Sequence, residues 1–190
     1  TPLTRMKLQI SLMKDEKAKS ELEVDINEMT SMLDSYVSFV KTESPEPIET
    51  IIINELIGDI VKTVEKNGVE LTIIEKNTIQ TSGRQIQLKR AFNNIIDNSQ
   101  RYAKKIEIIL YKNEKDCVIE FNDNGEGIPR DKYEDVFKPF FTLDPSRNKL
   151  KGESGLGLTI TRDIIRSHGG DVKLSESNLG GLQLKVLLPL

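Results

Sequence analysis

Two glycine clusters constrain this chain more than any other feature. They read Asp123-Asn124-Gly125-Glu126-Gly127-Ile128-Pro129 and Gly152-Glu153-Ser154-Gly155-Leu156-Gly157-Leu158, with a mostly polar segment and the run Lys138-Pro139-Phe140-Phe141 between them. Glycine permits positive φ and lets a phosphate approach the backbone, and the free N–H groups of a helix's first turn then favour the anion. The spacing predicts a nucleotide held between a tight turn and a helix start, beneath a lid. Neither common phosphate loop fits. Gly125-x-Gly127 runs into Pro129-Arg130 without a third glycine, and no G-x-x-x-x-G-K-[ST] follows a strand.

A third polar element lies upstream, in Arg90-Ala91-Phe92-Asn93-Asn94-Ile95-Ile96-Asp97-Asn98-Ser99-Gln100-Arg101-Tyr102. Leu88, Phe92, Ile95 and Ile96 follow helical spacing on one stripe, while Asn94, Asn98 and Arg101 at i, i+4 and i+7 share another face. One face is expected to pack and the other to meet a ligand.

Period-two alternation marks the sheet. Ile106, Ile108 and Leu110 share one face, Cys117, Ile119 and Phe121 another, with a hairpin turn over 113–116. Asp123 then falls where the second strand ends. Further strands are predicted over 48–53, 69–75, 172–175 and 182–188. Asn54 is expected to cap a helix bearing Leu56, Ile57, Ile60, Val61 and Val64. A short helix is expected over 130–137. Another begins after Gly157, carries Leu158, Thr161, Ile164 and Ile165, and stops at His168-Gly169-Gly170. Helices alternating with hairpin strands make a two-layer α/β sandwich with a mixed sheet, of the α+β class.

The opening of the chain reads differently. Leu3, Met6, Ile10 and Met13 form one apolar series. Leu22, Ile26, Met29, Leu33, Tyr36 or Val37, and Val40 form a second at steps of four and three, with a turn expected over the polar stretch 16–20. Two such helices cannot hide both seams, so a homodimer through the hairpin is expected. Ser44-Pro45-Glu46-Pro47 should end the second helix. The expected organisation is therefore a helical hairpin over 1–43, a linker over 44–47 and a second domain over 48–190.

In order, N-x-x-x-N, D-x-G-x-G, the aromatic K-P-F-F and G-x-G-L resemble the N, G1, F and G2 boxes of the GHKL ATP-binding superfamily, and within it the sensor histidine kinases. The opening Thr1-Pro2-Leu3-Thr4-Arg5, Gly180-Gly181-Leu182 and the closing Leu188-Pro189 are most similar to the EnvZ-type osmosensor group. The resemblance implies a Bergerat-type fold that binds ATP and Mg²⁺ and passes the γ-phosphoryl to a histidine upstream of Thr1, and then to a response regulator aspartate. On this resemblance 1–43 would be a truncated dimerisation and histidine-phosphotransfer hairpin and 48–190 a catalytic ATP-binding domain. It implies adenine recognition by Asp123, Mg²⁺ ligation by Asn98 and support from Asn94. Further nucleotide contacts would come from Arg101, Tyr102, Gly125, Gly127, Ile128, Arg147, Gly155, Leu156, Gly157 and Leu158. Thr1 would serve dephosphorylation of the regulator. A carboxylate acceptor suits the adenine amine and rejects guanine, and Mg²⁺ takes few protein ligands beside phosphate oxygens and water.

Bland readings stand beside these. Asp123 with Asn124 fits an Asx turn, the two asparagines a hydrogen-bonded helix face, and Arg147, Lys149 and Lys151 a solvated cluster. Phe140 and Phe141 anchor the lid's hinge or pack in the core. His168, the sole histidine, fits a helix C-terminus and is a poor phosphoacceptor. Ser99 and Glu153 depart from the family pattern. A carboxylate in place of Asn94 would activate water, so the amide favours transfer over hydrolysis. The competing functions are a hydrolytic ATPase of the gyrase or chaperone kind and a catalytically degenerate dimeric scaffold.

A net charge of -3 argues against nucleic acid, and no apolar run approaches the ~20 residues of a membrane helix. Membrane attachment is expected only through the parent protein, anchored in a bacterial inner membrane. Cys117 alone excludes an internal disulfide and, with no signal-peptide pattern at the start, fits a cytoplasmic setting.

Overall fold

The structure, a computed structural model, describes residues 2–13, 15–40, 46–63, 68–143 and 155–190. It divides into two compact units, Thr1–Ser44 with Lys138–Leu156, and Pro45–Phe137 with Gly157–Leu190.

In the first unit, helix α1 (Pro2–Ser11) is followed by α2 (Glu16–Val40). The turn falls before Glu16 rather than over 16–20. Asp15 is the reason: its Oδ1 accepts the N–H groups of Lys17 at 3.0 Å and Ala18 at 3.2 Å, so the polar stretch becomes a solvated first turn behind an N-cap. Ile10 and Ile26 are each 6% exposed, yet Met6, Leu22, Met29 and Leu33 remain exposed. One copy of the hairpin buries only part of its apolar seam.

The second unit is the two-layer sandwich, with the sheet ordered β2-β4-β5-β7-β6. Its strands are β2 (Glu70–Glu75), β4 (Lys105–Lys112), β5 (Asp116–Asp123), β6 (Asp171–Glu176) and β7 (Leu182–Pro189). Strand β2 pairs with β4 in parallel and the remaining pairs are antiparallel, so the sheet is mixed. The turn between β4 and β5 closes as the hairpin spacing requires: Asn113 Oδ1 accepts the N–H groups of Lys115 and Asp116.

Alternation decides which face is covered. Ile106, Ile108, Leu110, Cys117, Ile119, Phe121, Leu184, Val186 and Leu188 are buried beneath three helices: α3 (Ile53–Thr63), α4 (Gln85–Tyr102) and α5 (Gly157–Ser167). These contribute buried Ile57 and Ile60, Leu88, Phe92, Ile95 and Ile96, and Ile160, Ile164 and Ile165. Phe92 meets Phe121 with ring centroids 6.1 Å apart, tying α4 to β5. Burying a side chain of this size stabilises by about 1.5–3 kcal/mol.

Three expectations need correction. Strand β3 (Gln80–Gly83) pairs antiparallel with β1 (Glu49–Ile52) in a small second sheet and was not foreseen, because Gln-Thr-Ser-Gly carries no apolar alternation. Asn54 does not cap α3, which starts at Ile53 straight from β1. Instead its Oδ1 accepts Ile79 N–H at 2.8 Å and its Nδ2 donates to Asn77 O at 3.1 Å. Residues 130–137 are two 3₁₀ turns, Arg130–Lys132 and Asp135–Phe137, not one helix. Val64 lies outside the described residues.

Helix α4 carries no side-chain cap of its own. The N–H of Arg84 donates to His168 Nε2, and those of Ile86 and Gln87 donate to Glu46. Remote residues therefore satisfy its first turn.

Candidate functional site

Asn94 and Asn98 are half-buried on the face of α4 opposite its core stripe, with Arg101 and Tyr102 exposed one turn further on. At Asn94 the helix meets the first turn of α5. Asn94 Nδ2 donates to Gly157 O at 3.3 Å, and a Cβ built on Gly157 would stand 4.0 Å from Asn94 Cβ. Buried Thr161 fixes the same carbonyl, donating to Gly157 O at 2.9 Å, with Ala91 O at 3.4 Å. The Asn98 side chain forms no hydrogen bond with any described residue, leaving a half-buried amide oxygen open. Beside it, partial desolvation pushes the Asp97 carboxyl above its ordinary value, against the pull of Arg101.

At the far end of α4 the helix meets the end of β5. Asp123 is 5% exposed, and its Oδ1 accepts the N–H groups of Gly125 at 2.9 Å and Leu182 at 3.0 Å. The main-chain oxygen of Asp123 takes Gly181 N–H at 3.1 Å. Both hydrogen bonds of the carboxylate fall on Oδ1, so Oδ2 is left without a partner among the described residues. The Asx turn is thus present, and it leaves one carboxylate oxygen available. Asn124 Oδ1 takes the N–H groups of Lys104 and Lys105, clamping the exit of α4 to the same turn.

Glycine is required here by space. A Cβ on Gly125 would stand 2.9 Å from Tyr102 O, and one on Gly181 would stand 2.3 Å from Asp123 Oδ1. Gly127 sits at φ 71°. Ile128 and Leu158 are half-buried. From Asn94 to Tyr102 the helix rises roughly 12 Å, so its polar face runs from the Gly157 carbonyl to the Asp123–Gly125 turn.

Gly155 and Leu156 belong to the first unit. Gly155, at φ 62°, accepts Phe140 N–H at 3.0 Å, and Phe140 itself has φ 62° and is 55% exposed. Core packing of Phe140 is therefore not what occurs. Thr1, Arg147, Lys149, Lys151 and Glu153 lie outside the described residues, as do residues 144–154, where a lid is expected. No group of three or more His, Cys, Asp or Glu suited to a metal occurs among the described residues. A cation at Asn98 would therefore draw most of its ligands from phosphate and water, the mode Mg²⁺ adopts with nucleotides. An open amide oxygen at Asn98 and an open carboxylate oxygen at Asp123 are compatible with a bound nucleotide and its cation.

Sequence reading placed Gly181 in a family motif and Thr161 on the α5 stripe but gave neither a role in the site. The Gly180-Gly181 doublet ahead of an alternating strand was the available signal for the first. Thr161 on a helix carries none.

The family profile described as "Histidine kinase-, DNA gyrase B-, and HSP90-like ATPase" matches residues 83–190. Among curated proteins, the chain is 30% identical to the sensor histidine kinase GtrS of Pseudomonas aeruginosa, covering 100% of this chain and 39% of that protein. It is also 30% identical to the sensor histidine kinase CpxA of Escherichia coli, covering 100% of this chain and 44% of that one. The chain thus spans less than half the length of the relatives it matches. Among solved structures, the mycobacterial sensor histidine kinase MprB superposes with a TM-score of 0.67 at 24% identity, over 75% of this chain and 97% of that one, a likeness of fold.

Proposed function

Since this chain belongs to the histidine kinase-, DNA gyrase B- and HSP90-like ATPase family, we propose that its second unit binds Mg-ATP along the polar face of α4. The observation that carries this reading is the buried Asp123 carboxylate, with Oδ1 held by two backbone N–H groups and Oδ2 open. An open carboxylate oxygen at a sheet end accepts from the adenine amine and discriminates against guanine. The triphosphate then extends along Asn98 and Asn94 toward the first turn of α5, with Mg²⁺ on Asn98 and contacts from Arg101, Tyr102, Gly125, Gly127, Ile128, Gly157 and Leu158. Gly155, Leu156 and Arg147 are carried as proposed nucleotide contacts on the family resemblance alone.

The reaction is phosphoryl transfer to a histidine outside these 190 residues, and onward to the receiver domain of a response regulator. His168 is the sole histidine here, and both of its ring nitrogens are already engaged. Positioning and charge neutralisation are what such a transfer asks of the protein. Thr1 as a contributor to regulator dephosphorylation and an osmosensor-type parent in a bacterial inner membrane extend the same reading. The described residues hold no helix long and apolar enough to cross a membrane. A homodimer through α1 and α2 is supported by exposed Met6, Leu22, Met29 and Leu33.

Calorimetry of the chain with ATP and with GTP, each with and without Mg²⁺, tests the reading. Saturable, Mg²⁺-strengthened ATP binding without GTP binding is expected. No heat with ATP at millimolar concentration would overturn it.

A further inference from the structure

Helix α4 bears both asparagines, and nothing in Gly83-Arg84-Gln85 caps its start. Arg84 makes no capping bond with its own side chain, and the first intrahelical bond is Leu88 N–H to Arg84 O at 3.0 Å. Glu46 supplies what is missing. Its Oε1 accepts Ile86 N–H at 2.5 Å and its Oε2 accepts Gln87 N–H at 3.3 Å, from forty residues away in sequence. A carboxylate at this end also meets the positive pole of the helix. Glu46 is half-buried, is followed by Pro47, and is the first described residue after α2.

We propose that Glu46 is a positioning residue for α4: by clamping the first turn, it helps fix the axial placement of the helix and hence of Asn94 against Gly157, with Asn98 one turn further on. The other end of α4 is already held through Lys104 and Lys105 on Asn124. Loosening Glu46 leaves α4 held by its buried stripe, by His168 and at its far end, so the effect is expected first at the start of the helix and then at the 3.3 Å contact from Asn94 to Gly157. The consequence for nucleotide rests on the reading proposed above; the clamp does not.

The test compares the wild-type chain with E46A and E46Q by amide exchange and by the side-chain amide resonances of Asn94 and Asn98. Exchange at Ile86 and Gln87 should speed about tenfold in E46A, the change expected from losing an ordinary cap. E46Q keeps one acceptor oxygen and should restore protection at one of the two amides. Amides of Ile108 and Phe121 should be unchanged. The Asn94 and Asn98 resonances should move in E46A, and ATP affinity should fall about three- to tenfold. Unaltered exchange at Ile86 and Gln87 would overturn the clamp. Faster exchange with unmoved asparagine resonances would overturn its positioning role. If the wild-type chain binds no ATP, the nucleotide reading fails by itself, and the exchange and resonance results still decide the clamp.

Discussion

The Nε2 atom of His168 accepts the backbone N–H of Arg84 at 3.0 Å, while its Nδ1 lies 2.7 Å from Ile164 O. A carbonyl only accepts and an amide N–H only donates, so the ring must carry its proton on Nδ1. The expected cap at the end of α5 is therefore present, and the same ring also closes the start of α4. Two-bond ¹H–¹⁵N correlations should report the Nδ1–H tautomer. His168→Ala should cost about 1–2 kcal/mol in urea denaturation, from one donor and one acceptor losing partners.

Asp123 holds the Gly125–Leu182 turn and is proposed to read adenine, and substitution separates the two. Asp123→Ala strips Gly125 and Leu182 of their acceptor and should cost about 1–3 kcal/mol. Asp123→Asn keeps an oxygen for those N–H groups but turns a donor toward the adenine amine. Near-native stability with ATP affinity reduced at least about 100-fold is expected. Calorimetry paired with thermal melts checks both.

Gly181→Ala should be disproportionately damaging for a single methyl. The new Cβ would stand 2.3 Å from Asp123 Oδ1 and 2.5 Å from Gly125 N, so the turn must open. A loss of about 2 kcal/mol or more is expected, with weakened nucleotide binding. Gly180→Ala is the comparison, having nothing within 4 Å; its cost comes from φ 97° alone.

Cys117 is fully buried and donates to Gln80 O at 3.0 Å, and burial pushes its thiol above the ordinary value. Reaction with a disulfide reagent at neutral pH should proceed only as fast as the sheet opens. Labelling at the rate of a free thiol would contradict the placement of β5 in the core.

On the uncovered face of the sheet, Glu120 Oε1 takes both Tyr111 OH and Lys185 Nζ at 2.8 Å. The hydrogen bond with Glu120 holds Lys185 above its usual value, and burial with the same carboxylate raises Tyr111. Both groups keep their protons more tightly in the folded chain. This stability is complete below the unfolded values near about 10 and is lost as pH rises through the folded ones. Urea midpoints should fall as pH rises above about 10, and Glu120→Gln should flatten that fall.

Local chemistry was enough for what depends on near neighbours. Alternation in 106–121 and 182–188 announced strands with one buried face, the stripe at Leu88, Phe92, Ile95 and Ile96 announced α4, and the ordered boxes, by resemblance, pointed to the ATPase family that the profile match shows. Long-range pairing was not legible in the same way. Four polar or small residues at Gln80–Gly83 become a strand only because β1 lies beside them, and Asn54 anchors a loop rather than a helix start because Ile79 and Asn77 come to meet it. Glycine spacing marked flexible backbone, but only the folded chain shows Gly181 placed where a methyl cannot fit against Asp123. The cap on α4 is written forty residues upstream, at Glu46, and eighty-four residues downstream, at His168. Periodicity records which side of an element is apolar. Which unsatisfied N–H a distant carboxylate or imidazole reaches is decided only when tertiary packing brings them within hydrogen-bonding distance.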